Sequence, residues 1–290
     1  MKKQIQKILG ITFLFAACTI SSCKKDFNDP IETDQSSENA TALRGTHSYG
    51  ALPASEEQLR GIAIYTAPAS AQKAVAAKVM LDHPPIGDQG SQGSCVGWGT
   101  ATARAIDYYN VKGSTSWNNS TNIMSAAYIY NQIKVSDCSS GSYVTDALNL
   151  LKNQGVCTYS SMPYVENNCS KQPNSTQKND ASNKKIASWV RIKKNDVGSI
   201  KVKLAAKKAV VIAIQVDNLF DNGGGKDHIW KKNNGSTFGG HCIAITGYDD
   251  AKNAFYVQNS WGTNWGDKGM IWIDYGMFST YKVTEVYSLN

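Results

Sequence analysis

One stretch decides the fold of this chain: Asp88-Gln89-Gly90-Ser91-Gln92-Gly93-Ser94-Cys95-Val96-Gly97-Trp98. It is a glycine-rich loop that ends in a cysteine, and a helix is predicted over residues 96–110. Ser94 stands at the expected N-cap, which places Cys95 in the first turn. Unpaired backbone N–H groups and the helix dipole at that point favour a thiolate over a thiol. The stretch therefore predicts a nucleophilic cysteine.

A second residue of the same loop supplies electrostatic stabilisation in this interpretation. Gln89 lies six residues before Cys95. Its side-chain amide, folded back toward the sulfur, would form an oxyanion hole together with the backbone N–H of Cys95. The alternative is that Cys95 is only a small buried hydrophobic residue. A distant histidine base decides between the two, because a cysteine nucleophile needs one.

The candidate base comes from a short list of four histidines: His47, His83, His228 and His241. His241 stands in the block Gly239-Gly240-His241-Cys242-Ile243, and the block Gln258-Asn259-Ser260-Trp261-Gly262 follows. These blocks, with the cysteine loop, resemble the papain-like cysteine peptidases. His241 follows Cys95 by 146 residues, within the window of about 130–150 residues for that family.

The resemblance implies an α+β, papain-like two-domain fold. Its helical left domain contains the central nucleophile helix, and its right domain is a β-barrel. The sequence pattern agrees, with helices predicted over residues 96–110, 123–132 and 142–154. Strands are predicted over residues 186–192, 210–216, 243–248, 254–258 and 269–273. The left half covers about residues 81–184 and the right half about residues 185–290.

The same resemblance assigns the site. Cys95 is the nucleophile, His241 the base, Asn259 the residue that orients the base, and Gln89 the oxyanion donor. The expected substrate-binding residues are Gly141, Ser142, Tyr143, Ala213, Gly240 and Trp261. Ser142 replaces the second glycine of the family pattern, and Ala213 is equally well explained as sheet core. Trp261 is expected to cover the Asn259–His241 hydrogen bond.

The resemblance also implies a disulfide in the left half. Cys138 and Cys169 match the positions of one family bridge, and Cys157–Cys169 is the alternative pairing. An exported protein would form such a bridge in an oxidising compartment.

The N-terminus has the features of an export signal. Lys2, Lys3 and Lys7 precede a mostly apolar run over residues 8–20, which is too short to span a bilayer. Ile20-Ser21-Ser22-Cys23 resembles a bacterial lipobox, so residues 1–22 are predicted to be a lipoprotein signal peptide and Cys23 the lipidated residue. Cys18 is a weaker candidate, and ordinary signal cleavage is the alternative. The expected location is the outer membrane, on its periplasmic side or at the cell surface.

Two segments separate this signal from the catalytic region of residues 81–290. Residues 23–54 are predicted to be the lipid anchor and a disordered tether, because they are mostly polar. Residues 55–80 have helical character and occupy the position of a short propeptide or N-terminal extension. Whether this extension blocks the cleft is left open by the sequence.

Composition narrows the function further. The net charge is +7 and 41% of residues are hydrophobic, with no basic run interleaved with aromatic residues, so nucleic acid is not an expected partner. Neither a metal nor a cofactor is expected, and the chain is predicted to be a monomer acting on peptides or proteins. The two alternatives are a catalytically silent, surface-anchored binding protein of the same fold and an enzyme that transfers the acyl group to an amine.

Overall fold

Eight short and medium α-helices precede or interrupt the strands in the part of the chain that the structure describes. The structure, a computed structural model, describes residues 47–231 and 235–290. The helices are α1 (Glu56–Leu59), α2 (Ala69–Ala74), α3 (Cys95–Val111), α4 (Ala126–Ile133), α5 (Val144–Asn153), α6 (Ser175–Ser182), α7 (Val197–Ala205) and α8 (Asn218–Asp221). None of the helices in these two ranges is long and apolar enough to cross a membrane.

The longest helix, α3, packs against both other helices and strands. Two glycines make this close approach feasible. A Cβ at Gly97 would lie 2.7 Å from the carbonyl oxygen of Ala126, and one at Gly99 would lie 2.9 Å from Cys242 Sγ. The small residues of α3 therefore place Cys95, its first residue, between the helical half and the strands.

The strands form one large sheet and one small one. They are β1 (Ala51–Leu52), β2 (Ile64–Tyr65), β3 (Lys78–Met80), β4 (Ser142–Tyr143), β5 (Trp189–Ile192), β6 (Val210–Val216), β7 (Ile229–Trp230), β8 (Gly239–Asp249), β9 (Ala254–Gln258), β10 (Met270–Asp274) and β11 (Val283–Leu289). Nine of them pair in the order β2-β5-β11-β6-β8-β9-β10-β7, with β3 also on β8, while β1 pairs with β4.

The predicted right-hand barrel is not closed. In the part of the chain that the structure describes, β2 and β7 end the path of paired strands and are not bonded to each other. The helical half, the large sheet and the α+β class otherwise agree with the predicted fold.

The apolar run of β6 is explained by burial on both faces of its sheet. Val211 and Ala213 belong to the core that includes α3, α4 and α5. Ile212 and Ile214 belong to a second core on the other face. The sheet therefore links the two halves, and the residues at the ends of its strands lie near the start of α3.

The N-terminal part of the described chain differs from its prediction. Residues 55–80, where the sequence has helical character, form two short helices and two short strands. They are built into the sheet, since β2 pairs with β5 and β3 pairs with β8. Residues 47–54, which the sequence assigns to a disordered tether, include β1 and contact the cleft residues described below. The predicted signal, Cys23 and the rest of the tether up to residue 46 lie outside the described residues.

Candidate active site

The loop before α3 is tied directly to the segment after β9. The backbone N–H of Gln89 donates to the carbonyl oxygen of Ser260 at 2.9 Å, and Asp88 forms an isolated antiparallel bridge with Trp261. These bonds bring the cysteine loop of the helical half against the strand ends of the other half.

His241 lies near the start of β8 and Asn259 directly follows β9. His241 Nε2 is 2.7 Å from Asn259 Oδ1, and that oxygen also accepts from the backbone N–H of Ser260 at 2.8 Å. Trp261 stacks on the imidazole, with ring centroids 4.4 Å apart. The side-chain oxygen of Asn259 thus fixes the ring. His241 Nδ1 has no hydrogen-bond partner within residues 47–231 and 235–290.

Cys95 and His241 are both fully buried. Burial raises the pKa of the Cys95 thiol to about 12, against smaller lowering contributions from backbone N–H groups, those of Cys242 and Gly50 first. Burial also lowers the pKa of His241 to about 4, against the hydrogen bond that the ring donates to Asn259 Oδ1. Both groups are therefore neutral near pH 7 in this structure.

The sequence predicts a thiolate at Cys95, whereas burial favours the neutral thiol in this conformation. The helix begins where the sequence predicts, but desolvation destabilises the thiolate more than the nearby N–H groups stabilise it. Ser94 is the residue before the helix, yet its hydroxyl does not cap it. That hydroxyl instead lies 2.7 Å from the Tyr164 hydroxyl.

Gln89 is fully buried, and hydrogen bonds hold both ends of its amide. Its Oε1 accepts from Ser260 Oγ at 2.8 Å. Its Nε2 donates to the carbonyl oxygens of Gln92 at 3.0 Å and of Ser48 at 3.1 Å. The amide thus meets a backbone carbonyl that comes from the N-terminal part of the chain.

Residues 47–52, here called the cleft segment, cover this site. The N–H of Gly50 donates to the carbonyl oxygen of Gly240 at 3.0 Å, and the N–H of Ser142 donates to that of Gly50 at 2.8 Å. Ala51 and Leu52 pair in parallel with Ser142 and Tyr143. The contact is tight, because a Cβ at Gly141 would lie 2.6 Å from the Gly50 carbonyl oxygen.

The other end of the cleft segment is held by side chains. The His47 ring stacks on Trp261 with centroids 4.2 Å apart and planes within 5°. His47 Nδ1 lies 3.0 Å from Asp221 Oδ1, and the Tyr49 hydroxyl donates to the same oxygen at 2.6 Å. Two side chains of the segment thus converge on one carboxylate beside Trp261.

Comparison with known proteins adds the decisive observation. Residues 35–289 match the model of the papain family cysteine proteases. This chain belongs to that family. The matched range includes both halves of the fold, the cysteine loop and the histidine and asparagine blocks.

Individual members of the papain family are similar at a lower level. The chain is 31% identical over 192 residues to gamete and mating-type specific protein A of Dictyostelium discoideum, covering 64% of this chain and 39% of that protein. It is 27% identical over 193 residues to cysteine proteinase 1 of Entamoeba histolytica, covering 64% and 58%. The chain thus spans about two to three fifths of the length of these curated relatives.

Solved structures of the papain family share the fold. Xylellain, a cysteine protease from Xylella fastidiosa, superposes with a TM-score of 0.71 at 26% identity, over 85% of this chain and 97% of that one. The Amb a 11 cysteine protease of ragweed pollen, in its proform, gives 0.62 at 19% identity, over 84% and 74%.

Most residues that the sequence singled out lie in this one region of the papain-family fold. Cys95, Gln89, His241, Asn259 and Trp261 are buried around the same loop and strand ends. Of the expected substrate-binding residues, Ser142 and Gly240 exchange backbone hydrogen bonds with the cleft segment, and Tyr143 pairs with Leu52. Ala213 is buried within β6 and pairs with Cys242.

The left half contains the disulfide Cys138–Cys169, the pairing that the resemblance implied. Cys157, the member of the alternative pair, is a free and buried cysteine.

Sequence reasoning missed the cleft segment and Asp221. The only signal at the segment is a small change in composition: Tyr49-Gly50-Ala51-Leu52 has no charged residue, unlike the polar stretch before it. Asp221 carries no signal, since its role depends on where α8 brings it in space.

Proposed function

We propose that this protein is a thiol-dependent peptidase in which Cys95, His241 and Asn259 form the catalytic triad. The observation that carries the proposal is the 2.7 Å contact of His241 Nε2 with Asn259 Oδ1 beneath Trp261. It supports proton exchange between the other imidazole nitrogen, Nδ1, and the thiol of Cys95. A fixed ring with one nitrogen reserved for the nucleophile is what a cysteine–histidine mechanism requires.

The chemistry runs through a thioester. Cys95 Sγ attacks the peptide carbonyl carbon while its proton resides on His241, and the protonated ring then gives that proton to the leaving amine. Water adds to the thioester with His241 as base, which releases the acid and restores the thiol. During both steps the Gln89 amide and the Cys95 N–H donate to the carbonyl oxygen as it becomes negative.

The enzyme is latent in the described conformation. The Ser48 carbonyl of the cleft segment accepts a hydrogen bond from Gln89 Nε2. Gly50 of the same segment forms backbone hydrogen bonds with Gly240 and Ser142. The neutral, water-excluded Cys95 and His241 support the same conclusion, since attack requires a thiolate. Catalysis therefore begins only when residues 47–52 leave the cleft.

Chain direction explains why the cleft segment is not itself a substrate. The acyl part of a substrate, which is N-terminal to the cleaved bond, binds at Ser142 and Tyr143, and the leaving group lies by Trp261. The cleft segment runs the other way, with His47 on Trp261 and Leu52 beside Tyr143. Its backbone thus occupies the subsites with reversed polarity and presents no correctly oriented carbonyl to Cys95.

The location of the enzyme is a further part of the proposal. The basic start, the apolar run and Ile20-Ser21-Ser22-Cys23 support export and lipidation at Cys23, with anchoring in a bacterial outer membrane. We expect Cys23→Ser to abolish the lipid mass and to move the protein from the membrane fraction. Unchanged mass and fractionation would reject the anchor without affecting the proposed chemistry.

The test of the catalytic assignment is peptide hydrolysis by the full chain carrying Tyr49→Ala, which loosens the cleft segment. Adding Cys95→Ala should remove all hydrolysis, whereas the matched control Cys157→Ala, at a buried free cysteine outside the site, should retain it. Mass spectrometry of the products should show addition of water. Full activity of the Cys95→Ala chain would overturn the proposal, and incorporation of an added amine in place of water would make the protein an acyltransferase.

A further inference from the structure

One acidic side chain lies beside the leaving-group end of the cleft and takes no part in the chemistry above. Asp221, the last residue of α8, is 4% exposed, and its carboxylate meets both His47 and Tyr49 of the cleft segment. The imidazole of His47 stacks on the face of Trp261 and meets this carboxylate at its edge, through Nδ1. Asp221 and Trp261 therefore bind the imidazole of His47 in the closed conformation.

The position of Asp221 is fixed by a buried network behind it. Asp217 caps α8 by accepting from the N–H of Phe220 at 3.0 Å. The same carboxylate accepts from Trp230 Nε1 at 3.0 Å and pairs with the fully buried Lys282 at 3.0 Å. The charge of Lys282 is thus used by Asp217, one helical turn away from Asp221.

A second bond holds the backbone at this point. Trp265 Nε1 donates to the carbonyl oxygen of Asp221 at 2.8 Å, and Trp265 packs edge-on against Trp261 with centroids 5.2 Å apart. The carboxylate and the indole face thus sit on one rigid unit. Such a preorganised pair loses little entropy when a ligand side chain enters.

We propose that Asp221 and Trp261 form a specificity subsite for a basic side chain, arginine above all, on the leaving-group side of the substrate. This inference rests on the proposed peptidase function. A guanidinium stacks on an indole face and donates two N–H groups to a carboxylate, which matches both surfaces of the pair. An acidic side chain at this place would face a like charge in a poorly hydrated site. Once the cleft segment leaves, a substrate arginine takes the place of His47.

The experiment compares nine quenched peptides of one parent sequence, in which arginine, citrulline or glutamate stands at each of the first three positions after the cleaved bond. Citrulline keeps the shape of arginine and removes its charge. The enzyme is the full chain with His47→Ala and Tyr49→Ala. These two substitutions remove the side chains that bind Asp221, so a substitution of Asp221 cannot change the activity by releasing the cleft segment. At one of the three positions, kcat/KM should be about tenfold higher for arginine than for citrulline, and lowest for glutamate.

Variants assign that preference to the carboxylate. Asp221→Asn should bring the arginine-to-citrulline ratio near one, and Asp221→Glu should restore part of it. The control Asp227→Asn removes an equal charge at an exposed surface pair with Lys231 and should leave the ratio unchanged. Should Asp221→Asn fail to fold, the ratio of the parent chain decides. It should also fall as salt is raised, as expected for a charge pair.

A peptidyl coumarylamide, which has no residue after the cleaved bond, separates the two levels of the argument. If it is hydrolysed while arginine and citrulline peptides are cleaved equally at all three positions, the subsite is wrong and the peptidase assignment stands. If the coumarylamide and all peptides are untouched, both are wrong. An arginine preference that survives Asp221→Asn would also overturn the assignment to Asp221.

Discussion

The two ends of the cleft segment are held in the site by different kinds of contact. Residues 50–52 are held mainly by the backbone, through Gly240 and Ser142. Residues 47–49 are held by the side chains of His47 and Tyr49 on Trp261 and Asp221, apart from the Ser48 carbonyl on Gln89. One end therefore uses groups that every peptide has, and the other uses groups that few peptides have.

This difference separates binding of a peptide backbone from recognition of particular side chains. Backbone bonds bind any extended chain, so any substrate can replace the segment at Ser142 and Gly240. The Asp221–Trp261 end recognises particular side chains, and it gives the segment an advantage over most peptides. A hydrogen bond to a charged group contributes about 1.5–3 kcal/mol, compared with about 1 kcal/mol for a neutral one. We therefore expect the side-chain end to control how often the cleft opens.

The largest expected effect concerns Gln89, which donates to the Ser48 carbonyl of the cleft segment. In the full chain carrying Tyr49→Ala, Gln89→Ala should lower kcat by about 10²–10³ with little change in KM, because the lost donor acts on charge that develops in the transition state. Steady-state kinetics on a peptide amide would measure it.

Asn259→Ala is the comparison for that experiment. It should reduce kcat less, since Trp261 still stacks on the His241 ring, and it should shift the pH–rate profile. A Gln89→Ala enzyme with full kcat, or with a change in KM alone, would remove Gln89 from the oxyanion hole.

The next effect tests the side-chain end directly. Tyr49→Ala removes a 2.6 Å hydrogen bond to the Asp221 carboxylate. The open fraction, and with it the initial rate of peptide hydrolysis, should rise about ten- to hundredfold, following the energy of a charged hydrogen bond. Leu52→Ala, at the backbone end, is the matched control and should change the rate much less. Equal increases for the two variants would contradict the division of the segment into two kinds of contact.

The smallest expected effect is that of pH. The closed state has a raised Cys95 pKa, about 12, so closure is fully stable below the ordinary thiol value of about 8.5 and weakens as pH rises above it. It also has a lowered His241 pKa, about 4, so closure weakens as pH falls below the ordinary histidine value of about 6.5. From pH 6.5 to 5.5 the open fraction should increase about fivefold.

Hydrogen exchange of the Gly50 amide, corrected for the intrinsic pH dependence of exchange, would report this opening. Its protection should be greatest between about pH 6.5 and 8.5, and His241→Ala should flatten the acid side. Protection that is constant from pH 5.5 to 9.5 would show that neither group is coupled to the cleft segment.

The sequence was sufficient for the site residues whose motifs carry their own chemistry. The helix after Cys95 was predicted over residues 96–110 and is Cys95–Val111. The strand bounds 210–216 and 254–258 match Val210–Val216 and Ala254–Gln258. The first is an apolar, β-branched run typical of a strand buried on both faces, and the second is rich in aromatic residues, which favour strands. The blocks around His241 and Asn259 could be recognised without knowing which strands would carry them.

The sequence was not sufficient where a property depends on what covers a residue. The helix start at Cys95 correctly indicates N–H groups near the sulfur, but burial raises the pKa of the thiol by more than these groups lower it. Residues 47–49 are too few and too polar to predict that they pack against Trp261 and Asp221, and the Asp221 carboxylate bonds to side chains more than 170 positions away. The open sheet in place of a barrel likewise depends on strand ends that no local pattern specifies.

The most direct test of the central claim, that the cleft segment shields the nucleophile, is the rate at which iodoacetamide alkylates Cys95 in the full chain. It would be followed by mass spectrometry with buried Cys157 as internal reference, in the unmodified protein and in Gly50→Ala. A Cβ at Gly50 would lie 2.0 Å from the backbone carbonyl oxygen of Gly93, so this variant cannot keep the closed position. Cys95 should be alkylated slowly in the unmodified chain and at least tenfold faster in Gly50→Ala, with Cys157 unchanged in both. Rapid alkylation of Cys95 in the unmodified chain, equal to that in Gly50→Ala, would contradict the account.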